Sequence, residues 1–89
     1  MPSLYNIMGY KIYFWMNENN EPIHVHVCKG KPSPNSTKIW ITQYGGVYSV
    51  NTSKIPRKDL AKIEQFVITC IPQITQAWIN TFGSISYYC

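Results

Sequence analysis

The sequence predicts an α+β fold: a small antiparallel β-meander of about four strands, with a C-terminal helix packed on one face. Two observations predict it. The first half of the chain carries short β-branched and aromatic runs separated by turn chemistry. The second half changes period, with Leu60, Ile63, Val67, Ile71 (or Cys70), Ile74 and Trp78 recurring at spacings of three and four. The strands offer one apolar face and the helix one apolar stripe, and each buries the other. The connections are short, which makes the sheet antiparallel.

The elements follow in order. Residues 10–16 (YKIYFWM) read as the first strand, with Gly9 before it as a turn or bulge. Residues 17–21 (NENNE) are turn chemistry. Pro22 opens a second strand, residues 23–29 (IHVHVCK), in a hairpin with the first. Two prolines and a polar run make residues 31–37 (KPSPNST) a loop. Residues 38–42 (KIWIT) are the third strand, and residues 47–51 (VYSVN) the fourth. Between them Tyr44, Gly45 and Gly46 turn the chain. Pro56 suits the first helical turn, Asp59 complements the macrodipole, and Ser53 is the expected N-cap. Pro72 falls inside the apolar stripe, where proline removes a hydrogen bond and clashes with the preceding turn. The expectation is a kink at Pro72, or two helices meeting near Cys70 to Pro72. Gly83 ends the helix, and residues 85–88 (ISYY) read as a short closing strand.

At 89 residues the chain is expected to be one domain, residues 1–89, with one modest core. Its 45% hydrophobic residues, with 3 Trp, 7 Tyr and 3 Phe, exclude intrinsic disorder. No apolar run approaches the roughly 20 residues of a membrane span, so no membrane is expected among its partners. Met1 to Tyr10 lacks the pattern of a signal peptide. Cys28, Cys70 and Cys89 match no zinc or CxxC spacing. Free thiols point to a reducing, cytoplasmic compartment. The net charge of +4 suits an anionic partner, with nucleic acid open as one class.

Strand alternation singles out one stretch. It puts His24, His26 and Cys28 on one face and turns Ile23, Val25 and Val27 to the core. Tyr13 and Trp15 likewise oppose Ile12, Phe14 and Met16, and Trp40 opposes Ile39 and Ile41. The outer sheet face therefore carries aromatic rings. Either it is a partner surface, a homodimer included, or the C-terminal segment or the long loop covers it.

Three chemistries compete for the histidine pair. A metal ion needs three or four protein ligands. His24, His26 and Cys28 are weak candidates, with Glu18 and Glu21 in the adjacent turn, and no metal is expected. Acid–base work is the second: His24 and His26 as base and acid in metal-independent RNA cleavage, with Lys29 and Lys31 on phosphate. The third is binding, the histidines standing beside Tyr13 and Trp15 on a recognition face. The run Lys54, Arg57, Lys58 and Lys62 is either the solvated side of a helix or a contact for nucleic acid or an acidic partner. No phosphate loop and no Gly-x-Gly-x-x-Gly is present, so no cofactor is expected. Cys70 beside the apolar stripe reads as core.

The same stretch carries a resemblance. An aromatic strand, an Asn/Glu turn and then Glu21-Pro22-Ile23-His24-Val25-His26-Val27 is similar to the small bacterial family called domain of unknown function 4160. Its hallmark is an acidic-His-x-Pro-Pro-His-Phe-His type motif. Pro22, His24 and His26 match it directly. Lys38-Ile39-Trp40-Ile41, Val47-Tyr48, Ile55-Pro56-Arg57 and Trp78 continue the likeness. The chain departs where the family's first histidine is Asn20, its acidic neighbour Asn19 and its second proline Ile23. The resemblance implies a small cytoplasmic protein, one half of a toxin–antitoxin-like pair. The expectation is an interaction module working through Tyr13, Trp15, His24 and His26, with Lys29, Lys31, Arg57 and Lys58 as binding residues. The alternative is a ribonuclease-like toxin using the histidine pair.

Overall fold

A computed structural model of the chain describes residues 3–16 and 20–89. It places β1 (Ser3–Ile7), β2 (Tyr10–Tyr13), β3 (His24–Lys29), β4 (Thr37–Ile41) and β5 (Val47–Val50) before α1 (Arg57–Thr69) and α2 (Ile71–Phe82). The strands form one five-stranded antiparallel sheet in the order β1-β2-β3-β4-β5. The α+β class and the meander followed by helical structure are as expected. The sheet has one strand more than about four.

That additional strand is β1. Residues Ile7 and Tyr10 close the β1–β2 hairpin around Met8 (φ 53) and Gly9 (φ 83). A two-residue hairpin loop with both central φ positive is the type I′ pattern, normally written Asn-Gly or Asp-Gly. Methionine in the first place hides the signal. β1 also changes register between Ser3 and Tyr5, which blurs its alternation.

β2 ends at Tyr13, short of Met16. Beyond it Phe14 turns inward against Trp78 and Phe82, with ring centroids 5.1 and 5.5 Å away. The turn expected at residues 17–21 lies partly outside the described residues. At the β4–β5 hairpin Gly45 takes φ 83, and Thr42 N–H donates to Gly46 O at 2.9 Å. The left-handed backbone there explains the glycine.

The core joins Ile12, Val25, Val27, Ile39 and Ile41 of the sheet to Ile63, Val67, Ile74 and Trp78 of the helices. Each such buried side chain stabilises by about 1.5–3 kcal/mol. On the helix side, Tyr10 Oη donates to Asp59 at 2.9 Å and Ser49 Oγ to Glu64 at 2.6 Å. Burial raises the Tyr10 hydroxyl pKa, and the Asp59 carboxylate adds to the shift.

Three expectations are corrected. Of the two expectations for the apolar stripe, the kink at Pro72 is corrected and the other holds: two helices meet at Cys70 (φ −95, ψ 7). Pro72 falls in the first turn of α2, where a missing N–H has no intrahelical partner to lose. Ser53 does not cap α1: its hydroxyl lies 2.6 Å from Thr37 Oγ1, and Pro56 takes the N-cap position without a side-chain hydrogen bond. Residues 85–88 form no strand. The tail makes two separate backbone contacts, Ile23 N–H to Ser86 O at 2.9 Å and Gln43 N–H to Cys89 O at 3.1 Å. Gly83 does end α2 in the left-handed conformation (φ 83).

Candidate functional site on the outer sheet face

Register builds the outer face row by row. Tyr13, His26, Lys38 and Val50 form one cross-strand row, and His24, Trp40 and Tyr48 the next. Neighbours within a row stand close enough for rings to touch. Trp15 meets Tyr13 edge-on at 5.4 Å, Tyr13 stacks on His26 at 5.3 Å, and His26 meets His24 at 4.9 Å with perpendicular rings. His24 continues to Trp40 at 5.1 Å. The C-terminal tail then closes the series. Tyr88 stacks on Trp40 at 4.7 Å and lies nearly parallel to Tyr48 at 6.2 Å.

His24 is the most enclosed member, with none of its surface exposed. It reaches Trp78 of α2 at 5.4 Å, so it links the outer rings to the core. Its Nδ1 lies 2.8 Å from the Pro22 carbonyl oxygen. A carbonyl only accepts, so Nδ1 carries the hydrogen. Nε2 faces Glu21 Oε2 at 3.6 Å, and the same carboxylate oxygen accepts from Lys38 Nζ at 2.9 Å. Lys38 also stands 4.2 Å above the Trp40 ring.

Tyr13 is also fully buried, so of the two expectations for this face the cover by another segment holds at Tyr13 and the exposed binding residue is corrected. Its hydroxyl donates to Ser36 Oγ at 2.7 Å. Burial raises its pKa, and the bond to Ser36 opposes the shift only in part. The loop of residues 30–36 covers this side chain, which alternation alone does not reveal. Trp15 and His26 are half-buried. On this face Tyr48 (50% exposed) and Tyr88 (58%) are left open, with Val50 (42%).

The remaining predicted residues lie apart. Cys28 Sγ donates weakly to Gly30 O at 3.8 Å. Among the described residues no three His, Cys, Asp or Glu side chains converge for a metal ion, so Cys28 does not join the histidines. Glu18, the other candidate ligand, lies outside the described residues. Lys29 stands five residues along β3 from His24, roughly 16 Å at strand rise. Lys29 and Lys31 therefore do not share a site with the histidine pair. Both lie instead on a 340 Å³ cavity with Lys54, at the other end of the strand. Arg57 and Lys58 are exposed at the start of α1.

Sequence reasoning missed Asn51. Its Oδ1 accepts from Ile55 N–H and Thr37 Oγ1, each at 2.9 Å, and its Nδ2 donates to Ile55 O at 2.9 Å. It clamps the segment that presents Lys54. An asparagine between a strand and a Pro-containing helix start was the available signal.

The aromatic strand, the paired histidines and the late Trp78 that meets His24 are the features a family comparison can test. A family model described as Domain of unknown function (DUF4160) matches residues 9–79. The chain belongs to this family. The match takes in the histidine strand, the Lys54–Pro56 step and both helices as far as Ile79, and leaves β1 and the tail outside. No curated protein matches the chain, and no solved structure does. No helix of the described residues is long and apolar enough to cross a membrane.

Proposed function

We propose that this chain is a small interaction module, one component of a toxin–antitoxin-like pair. Its outer sheet face recognises an acidic segment of a partner protein. The observation that carries this is the enclosure of His24. Its imidazole is buried between Trp40 and Trp78, and its Nδ1 hydrogen is committed to the Pro22 carbonyl. A general base must reach the proton it removes. Here the histidine instead holds aromatic rings in place, and Tyr48, Tyr88 and Val50 remain open to a partner.

Charge selects the partner. Asp59 and Glu64 are bound on the helix side of the sheet, and Glu21 is paired with Lys38. Lys11 stands opposite Cys28 in register, on the same outer face as Lys38. A second copy of a +4 chain is repelled by this surface, and an acidic segment is attracted. Aromatic anchors then supply most of the binding energy.

The test is a peptide-display selection on the purified protein, with counter-selection on Tyr48→Ser/Tyr88→Ser. Acidic segments with apolar anchors that bind only the wild type support the module. No enrichment over charge-matched controls overturns it. Cleavage of labelled RNA by the wild type, lost in His26→Ala, returns the weight to the ribonuclease-like reading. A dimer in sedimentation, with no peptide bound, makes the second copy the occupant.

A further inference from the structure

The cavity at the Lys29 end of β3 belongs to no part of the aromatic face. Its volume is 340 Å³, and its lining includes Lys29, Lys31, Lys54, Ser33, Ser36 and Ser53. Three lysines therefore border the cavity with a single acid, Asp59, whose Oδ2 accepts the Tyr10 hydroxyl. Lys29 is positioned from below, with its Nζ 5.7 Å from the Tyr10 ring centroid. Lys54 is held on the rim by a left-handed backbone (φ 57) and by the Asn51 clamp on Ile55. A lysine in that conformation is strained relative to glycine.

A second observation is independent of the lysines. Ser36 is 6% exposed and lines the cavity. Its Oγ already accepts two hydrogen bonds, from Tyr13 Oη at 2.7 Å and Ser33 N–H at 3.3 Å. The Tyr13–Ser36 bond joins two hydroxyls and can run in either direction, so the Ser36 hydrogen can turn to an anion in the cavity while Tyr13 donates. The start of α1 faces the same space through Ile55, Pro56 and Asp59, without a side-chain cap. Its first-turn N–H groups have no intrahelical acceptor.

We propose that this cavity binds a small phosphate monoester. The phosphoryl group sits among Lys29, Lys31 and Lys54, accepts from Ser36, and leaves the ester group toward the open mouth. A dianion suits a cavity bordered by three lysines and one carboxylate, and charge-assisted bonds to phosphate are stronger than neutral ones. The volume lies at the low end of ligand pockets, which suits a mononucleotide-sized ester.

Amide-shift titration of the full chain tests it, with adenosine 5′-monophosphate, inorganic phosphate and adenosine as probes. The monophosphate should saturate shifts at Ser33, Ser36, Ser53 and Lys58 and leave Trp40 and Tyr48 unmoved, and adenosine should give none. Lys31→Gln/Lys54→Gly removes two charges without touching the core. It should weaken the monophosphate about tenfold while far-from-cavity shifts stay as in the wild type. No saturation below about 10 mM, or equal binding by the variant, overturns the site. Phosphate binding with the monophosphate excluded overturns the ester assignment and leaves a free-phosphate site.

Discussion

The two ends of β3 contrast. At the first, His24 is enclosed by Trp40, Trp78 and His26, and its Nδ1 bonds to its own chain. At the other, Cys28 and Lys29 border an open, lysine-lined cavity. Alternation treats the whole strand alike. What separates the ends is which distant element lies against each. α2 and the C-terminal tail close over the first end, while the loops of residues 30–36 and 51–56 leave room at the second. Polar residues at a closed end serve packing, and at an open end they are available to a ligand.

The largest effect that tests this contrast is at Trp78. Trp78→Ala removes the ring shared by His24, Phe14 and Phe82. It should cost about 3–5 kcal/mol in urea unfolding. A cost near that of a surface substitution would mean that the end is not closed by packing. His24→Ala comes next, at about 2–3 kcal/mol, from lost packing and an orphaned Pro22 carbonyl. Lys31→Gln at the open end should stay within about 0.5 kcal/mol in the same measurement. Equal costs at the two ends would dissolve the comparison.

Lys54→Gly sharpens it from the other side. Glycine takes the left-handed backbone without strain, so the melting temperature should hold or rise, by at most about 1 kcal/mol in stability. A clear loss would show that the Lys54 side chain is structural. The smallest effect at neutral pH belongs to three tyrosines, Tyr10 and Tyr13 buried and Tyr5 half-buried. Tyr5, Tyr10 and Tyr13 are all raised in the folded chain, mainly by burial. A raised pKa favours the protonated folded state, so that stability is complete below the unfolded value of about 10 and falls as pH rises through the folded values. Unfolding midpoints measured from pH 8 to 12 should be flat and then drop. A midpoint still level at pH 12 would mean these hydroxyls are not enclosed.

Much of the fold was legible in local pattern. β3, β4 and β5 stand within a residue or two of the expected strands, because their period-two runs are bounded by Pro22, the residue 31–37 loop and the glycine turn. The helical period and the Gly83 stop were legible for the same reason. β1 was not, since Met8-Gly9 lacks the usual turn pair and the bulge breaks alternation. The break at Cys70 was narrowed to a short stretch but not resolved into two helices, because a proline reads the same inside a kink and in a first turn. The candidate site was half legible: the shared face of His24 and His26 follows from alternation, but their exposure does not.

By itself the sequence determined the α+β class, the order of strands before helices, the apolar stripe ending at Trp78 and the membership of the histidine strand in its family pattern. These depend on residues within a few positions of one another, where backbone geometry is decisive. The tertiary structure alone decided that His24 and Tyr13 are buried, that Tyr88 covers Trp40, and that Lys29, Lys31 and Lys54 share a cavity. Each of those depends on which segment, remote in the chain, lies against a given side chain. Periodicity fixes the direction in which a residue points, and packing fixes what it meets there.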